Sequence, residues 1–127
     1  MKIIIFFTNF AVFIFLLSCS AGKKIKENRR LLKEYAYCRC FEYASKDTAF
    51  FNKDISVAVY ADISNYPVDV FNIIDTLAKK AASEIKPSEI PDHEGKKSVL
   101  LNCFLFYNSK KLDSLIKRMD KKIMEGW

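Results

Sequence analysis

The residues that could do chemistry are few, and most of them lie in one short stretch. His93 is the only histidine in the chain, and Asp92 and Glu94 flank it. A histidine beside carboxylates can transfer protons or ligate a metal ion. Catalysis by a nucleophile also needs a base and an orienting group, and no such set is identifiable around His93. Three glycines leave no Gly-rich phosphate loop. We therefore predict a solvated polar loop and a protein without catalytic residues, cofactor or metal ion.

Cysteines are the second candidate for chemistry. Cys38, Cys40 and Cys103 follow the first 21 residues, and an oxidising compartment would permit a disulfide between two of them. Cys38 and Cys40 are two apart in a helical pattern, so their side chains point to nearly opposite sides and cannot bond to each other. Cys103 is predicted to pair with one of them, and the other to stay a buried thiol. The Cys38-x-Cys40 pair is not predicted to bind a metal ion, because no second cysteine cluster accompanies it.

The N-terminus has the three-part pattern of a signal peptide. Lys2 precedes an uncharged segment, residues 3–17, and small side chains fill positions 18–22. This apolar segment is short for a bilayer-spanning helix, which needs about 20 residues. We predict that residues 1–21 direct export, with an uncleaved membrane anchor as the alternative.

Two cleavage modes compete at the end of this segment. Residues 16–19, Leu-Leu-Ser-Cys, resemble a bacterial lipobox, in which the thiol of Cys19 is acylated and becomes the new first residue. Cleavage after Ala21 would instead release a soluble protein. We favour the lipoprotein, for which Ser20 in place of Asp after the cysteine predicts sorting to the outer membrane, by analogy with known lipoproteins.

Charge gives only a weak indication of the partner. The chain has 21 basic and 15 acidic residues and a formal net charge of +6. Its lysines are dispersed along predicted helices, as on an ordinary solvated face. An exported protein rarely meets nucleic acid, so no nucleic-acid partner is predicted, and an acidic partner is favoured.

Hydrophobic periodicity predicts an all-α fold, a compact bundle of about five helices. A basic tether at residues 22–28 leads into one domain over residues 29–127. A loop over residues 86–98 contains Pro87, Pro91 and Gly95. The predicted helices cover about 29–44, 54–63, 67–85, 99–107 and 109–119.

More specific predictions can be made for two of these helices. The second is predicted to begin at an N-cap, Asp54, and to bury Ile55, Val59 and Ile63. The fourth, residues 99–107, is nearly all apolar, which is typical of a buried helix or a buried strand. We predict a helix there because helices flank it on both sides.

Residues 100–115 contain the most telling motif: a Cys, apolar residues, Tyr, a polar residue and Ser, followed by Leu-Asp-x-Leu. This segment resembles the C-terminal signature of type VI secretion system amidase immunity proteins, the inhibitors of the fourth amidase effector family. Shorter motifs match that family in order, so the resemblance spans about residues 31–120, although Cys38 departs from the pattern. These motifs are Arg39-Cys40-Phe41, residues 43–47, Asp54 with Ser56 and Tyr60, and Tyr66-Pro67.

The resemblance implies a periplasmic, non-catalytic homodimer that plugs the groove of a papain-like Cys/His peptidoglycan amidase. It also favours Cys40 over Cys38 as the partner of Cys103. The loop before the signature would then bind the amidase. Its predicted partner-binding residues are Ser88, Glu89, Ile90, Pro91, Asp92, His93 and Glu94. The main alternative is a small structural or adaptor lipoprotein of the cell envelope, and an envelope enzyme that uses His93 is a third hypothesis.

Overall fold

The computed structural model describes the backbone of residues 2–123 and the side chains of residues 22–123. The expected lipidation site Cys19 and the alternative cleavage position after Ala21 lie outside the described side chains, so the export signal stays a prediction. No helix of the described residues is long and apolar enough to cross a membrane.

The all-α prediction is confirmed, because no strand occurs in residues 2–123. Residues 22–28, expected as a tether, continue the first helix, and all of them except Asn28 are exposed. Two short 3₁₀ turns accompany the helices, at Pro91–His93 and Asp120–Lys122. The six helices are α1 (Lys2–Ser45), α2 (Thr48–Phe51), α3 (Ser56–Ile63), α4 (Val68–Ser83), α5 (Val99–Tyr107) and α6 (Lys110–Met119).

The helix α4 runs parallel to α1, and its apolar stripe packs against it. The rings of Tyr35 and Phe71 meet edge to face, with centroids 4.9 Å apart. One to two turns further along both helices, the Tyr43 hydroxyl donates a hydrogen bond to Asp75. The guanidinium of Arg39 donates to the same carboxylate. The two helices are therefore held together by aromatic packing at one level and by a charged cluster at the next.

The helices α5 and α6 run antiparallel to α1. Their contacts with α1 move toward its N-terminus as the residue numbers of α5 and α6 rise. Ser109 accepts a hydrogen bond from the N–H of Leu112 through its side chain and so caps α6, as predicted. The contacts that define this direction are Cys40–Cys103, Lys33–Asp113 and Arg29–Asp120.

One core unites these helices. Its members come from the inner faces of α1, α4, α5 and α6, as the helical spacing of apolar residues in the sequence predicts. The largest fully buried aliphatic side chains are Leu32, Val70, Ile74, Leu112 and Ile116.

The predicted buried face of α3 is wrong. Ile55, Val59 and Ile63 are exposed by 70%, 41% and 56%. The opposite face of the helix packs on the core instead, through Val57, Tyr60 and Ala61. Apolar residues occupy both faces of this short helix, so periodicity alone allowed two buried stripes. Contact with α1 selects the one that carries the large aromatic ring.

The start of α3 also differs from the expectation. The helix begins at Ser56, and the capping position is Ile55, whose side chain makes no capping hydrogen bond. Asp54 lies one residue earlier and accepts a hydrogen bond from the Ser56 hydroxyl, at 2.8 Å. Its carboxylate therefore binds a side chain at the start of α3 and not a backbone N–H of the first turn, as an N-cap residue would.

Candidate functional site

The loop between α4 and α5 is closed at its base. Ile85, just after α4, is buried and fixes the chain to the core. The N–H of Ser88 donates to the carbonyl of Lys96 at 2.7 Å, which joins the two arms of the loop. Residues 88–96 therefore leave the domain and return to it at one place.

Hydrogen bonds within the loop order its far side. The N–H of His93 donates to the carbonyl of Ile90 at 2.8 Å, and the N–H of Lys96 donates to the carbonyl of His93 at 3.0 Å. Pro91 begins the 3₁₀ turn between them, where its fixed φ fits the turn. Gly95 has φ +76°, a left-handed conformation that side chains disfavour. The loop thus has a defined conformation built from proline and glycine positions.

The predicted partner-binding residues lie together on this loop and face solvent. Ile90 is 60% exposed, while Ser88 is half-buried and accepts a hydrogen bond from the N–H of Ile90. This arrangement presents an apolar side chain between carboxylates, which is suited to binding. No cluster of three potential metal ligands forms among the side chains that the structure describes. The exposed residues are Glu89, Ile90, Pro91, Asp92, His93 and Glu94.

A disulfide positions the far end of this loop. Cys40 of α1 is bonded to Cys103 of α5, with 5.7 Å between their Cα atoms, which confirms the pairing that the family resemblance favoured. Both residues have no exposed surface. Since α5 begins where the loop ends, the covalent link fixes one arm of the loop against the central helix.

A groove of about 340 Å³ lies between α1, α3 and α5. Cys38 is a free, half-buried thiol in it, and Tyr37, Tyr60 and Tyr107 supply its aromatic walls. Lys33 lies over the ring of Tyr107, 4.6 Å from its centroid. The groove is mostly apolar and continues onto the outer face of α5.

That outer face of α5 is exposed, contrary to the expectation of a buried helix. Only the inner face, at Cys103 and Phe106, is buried. The sequence did carry a signal for this exposure: α5 is apolar on all sides, and a small domain has too few neighbouring elements to cover every side of such a helix. The exposed members are Leu100, Leu101, Phe104 and Leu105, each 56–58% exposed.

The thiol of Cys38 is predicted to react slowly. Burial, with Asp54, Glu34 and Glu42 nearby, raises its pKa to about 11 from 9.0. A higher pKa leaves less thiolate, so alkylation at pH 8 should be about a hundredfold slower in the folded protein than in urea. Timed iodoacetamide labelling with mass detection, without reductant, measures both rates. Equal rates in buffer and in urea would contradict the prediction.

Comparison with known protein families identifies one match. The family described as "Tai4: Type VI secretion system (T6SS), amidase immunity protein" matches residues 30–116. This range begins in α1, where the side chains reach the core, and ends in α6, so it includes the disulfide and the whole loop. No curated protein and no solved structure matches the chain.

Proposed function

Because the chain belongs to the family of type VI secretion system amidase immunity proteins, we propose that it binds a peptidoglycan amidase of the papain-like Cys/His type and blocks the active-site groove. The family match over residues 30–116 is the observation that carries this proposal. Such a protein needs a binding surface and no catalytic group of its own.

The loop between α4 and α5 is the proposed inhibitory element. Its middle is exposed and carries Glu89, Asp92 and Glu94 around Ile90. Carboxylates suit the basic, histidine-containing side of a Cys/His active site, and the apolar side chain provides a central contact. The hydrogen bond at the base and the 3₁₀ turn order the free loop, which reduces the entropy lost on docking.

The periplasm is the proposed place of action, because cross-linking peptides of peptidoglycan lie there. Residues 1–21 would direct export, and Cys19 would carry the lipid if the lipobox is used. This proposal rests on the sequence pattern of the N-terminus. Labelling with a radioactive or alkyne fatty acid, with Cys19→Ala as the control, distinguishes a lipid anchor from cleavage after Ala21.

A protection experiment tests the function. A papain-like amidase of the type VI secretion class is exported to the periplasm of a host that also expresses the full chain. We expect the host to be rescued from lysis, and the purified chain to stop peptide release from peptidoglycan. A folded chain that neither binds nor inhibits the amidase encoded beside its own gene would overturn the proposal and favour the adaptor hypothesis.

A homodimer is also proposed, formed through the exposed apolar face of α5. Phe104 stacks on Tyr107, with ring centroids 6.2 Å apart, and remains 56% exposed. A face of this kind is typical of an interface. We predict that the protein is a dimer at tens of micromolar and that Phe104→Glu makes it a monomer.

Light scattering at several concentrations measures this prediction. The matched control is Phe50→Glu, at a phenylalanine of α2 that is 53% exposed. It should leave the molecular mass unchanged, because Phe50 belongs to α2 and not to the apolar face of α5. A wild-type monomer, or an equal loss of dimer in both variants, would count against the interface.

A further inference from the structure

Basic residues occur along the whole chain, but the net positive charge comes from two short segments. Residues 22–30 and 117–122 contain nine of the 21 basic residues of the chain and only two of its 15 acidic residues. They account for the whole net positive charge of the protein, since the rest of the chain is close to neutral. Lys23, Lys24 and Lys26 are exposed in the first segment. The exposed basic residues of the second segment are Lys117, Arg118, Lys121 and Lys122.

The fold brings these segments to one end of the bundle, which we name the basic end. Arg29 pairs with Asp120, which joins the middle of α1 to the residue directly after α6. The N–H of Asn65 donates to the side-chain oxygen of Asn28 at 2.7 Å, so the connection before α4 lies at the same level. The basic end is therefore a product of tertiary structure, not a run of charge along one helix.

The buried side chain of Tyr66 fixes the position of Asp120 at the basic end. The Tyr66 hydroxyl donates to Asp120 at 3.5 Å, and its side chain is buried. Burial and the nearby carboxylate of Asp120 raise the pKa of Tyr66 to about 12, so the hydroxyl stays protonated as a donor. Asp120 is thus committed to Tyr66 and Arg29, and it neutralises little of the lysine charge around it.

We propose that the basic end docks on an anionic lipid surface. Lys23, Lys24 and Lys26 lie four to seven residues after Cys19, the predicted lipidation site. Lysines next to a lipid anchor place their ammonium groups at the level of lipid phosphates, where each adds to attraction for an anionic leaflet. An acyl chain with a basic patch supplies the two signals that stable membrane association requires.

A lipid surface fits this end better than nucleic acid does. Among the residues that the structure describes, the basic end carries one aromatic ring, Tyr66, which is buried and so offers no platform for stacking bases. The acyl group predicted on Cys19 has no role on nucleic acid, whereas it inserts into a bilayer. The chemistry recognised is therefore the phosphate of a lipid head group in a membrane.

Docking at this end sets the direction of the inhibitory loop. The helix α4 begins beside the basic end, where Asp69 pairs with Lys122. It runs for 16 residues before the loop begins, a length of about 24 Å. The loop would then point away from the membrane, toward the peptidoglycan layer. This consequence rests on the proposed function, whereas the docking itself does not.

Binding of the mature chain, cleaved after Ala21, to vesicles tests the proposal. One set of vesicles is phosphatidylcholine alone, and the other contains one-third phosphatidylglycerol. This form has no lipid anchor, so the ratio of the two partition coefficients at low salt measures the contribution of the basic end. We expect a ratio of about tenfold or more, which falls toward one in 0.5 M salt.

Charge-removing variants locate the surface. The triple variant Lys23→Gln, Lys24→Gln, Lys26→Gln should lower the ratio to about threefold or less. The control is Lys53→Gln, Lys86→Gln, Lys97→Gln, which removes the same charge from exposed positions away from the basic end and should retain the wild-type ratio.

Three outcomes would overturn the proposal: a wild-type ratio near one, an equal loss in the control variant, or binding to a DNA duplex without preference for anionic vesicles. Inhibition of the amidase in solution should be the same in the Lys23, Lys24, Lys26 variant as in wild type. Failure of membrane docking is therefore distinguishable from failure of the proposed function.

Discussion

Replacement of residues 89–94 by a Gly/Ser stretch of equal length is expected to lower affinity for the amidase by about a hundredfold or more. The replaced side chains are exposed and contribute nothing to the core, so the temperature of unfolding should change little. The bond between Ser88 and Lys96 at the base of the loop uses backbone groups outside the replaced residues. Inhibition of peptide release, with circular dichroism as the measure of folding, separates binding from stability.

A pair of single variants sharpens this test. Ile90 and Val68 are both exposed apolar residues, at 60% and 75%, but only Ile90 lies on the loop. Ile90→Ser should weaken inhibition by about tenfold or more, because it removes the central apolar contact, whereas Val68→Ser should inhibit like wild type. A loop replacement that remains folded and inhibits at full affinity would show that the loop is only a connection.

The helices were predictable because their residues repeat with a clear period and have recognisable ends. In α4, buried Val70, Phe71, Ile74 and Ala78 recur at spacings of three and four, which fixes both the helix and its inner face. Ser109 is a side-chain cap of the type that helix starts favour, and α6 begins directly after it. Where the spacing of apolar residues or a capping residue is clear, the sequence pattern is enough to predict the helix.

The faces of α3 and α5 were not predictable in the same way. In both helices apolar residues surround the axis, so the periodic pattern does not distinguish inside from outside. Contact with α1 determines which face of each helix is buried. Cys103 is buried and Tyr60 is half-buried, whereas Val59 and Phe104 remain exposed. The basic end had the same difficulty, because the proximity of Arg29 and Asp120 follows from the antiparallel course of α6.

The loop between α4 and α5 was predictable from the sequence only in part. Pro87, Pro91 and Gly95 predict a break between helices, and the break is there. They do not predict that Ser88 would bond to Lys96 and close the base, since that contact depends on where α4 ends and α5 begins. Sequence therefore indicated the candidate residues, and the packing of two helices determines how they are presented.

Removal of the disulfide by Cys40→Ala with Cys103→Ala is expected to lower the free energy of unfolding by about 2–4 kcal/mol. The bond closes a sequence separation of 63 residues, and without it the unfolded chain gains the freedom of an open loop of that length. For a domain of about 100 residues this corresponds to a fall in unfolding temperature on the order of 10–25 °C. Thermal unfolding followed by circular dichroism measures the change.

Cys38→Ser is the matched control, because it changes a third cysteine, which is half-buried in the groove and forms no bond. We expect it to change the free energy of unfolding by less than about 1 kcal/mol. Peptide mapping of oxidised protein should recover the Cys40–Cys103 pair. A Cys38–Cys103 peptide, or a double alanine variant as stable as wild type, would contradict the assignment.

The disulfide variant should also separate stability from inhibition. Both sulfur atoms are buried away from the loop surface, so the bond cannot contact the amidase and acts only by holding α5 against α1. Below its lowered unfolding temperature, the double variant should keep its α-helical signal and inhibit the amidase nearly as well as wild type. Above that temperature α5 separates from α1, the arms of the loop lose their fixed spacing, and inhibition should be lost in parallel with the helical signal. Loss of inhibition while the helical signal is intact would instead mean that the disulfide sets the conformation of the loop directly.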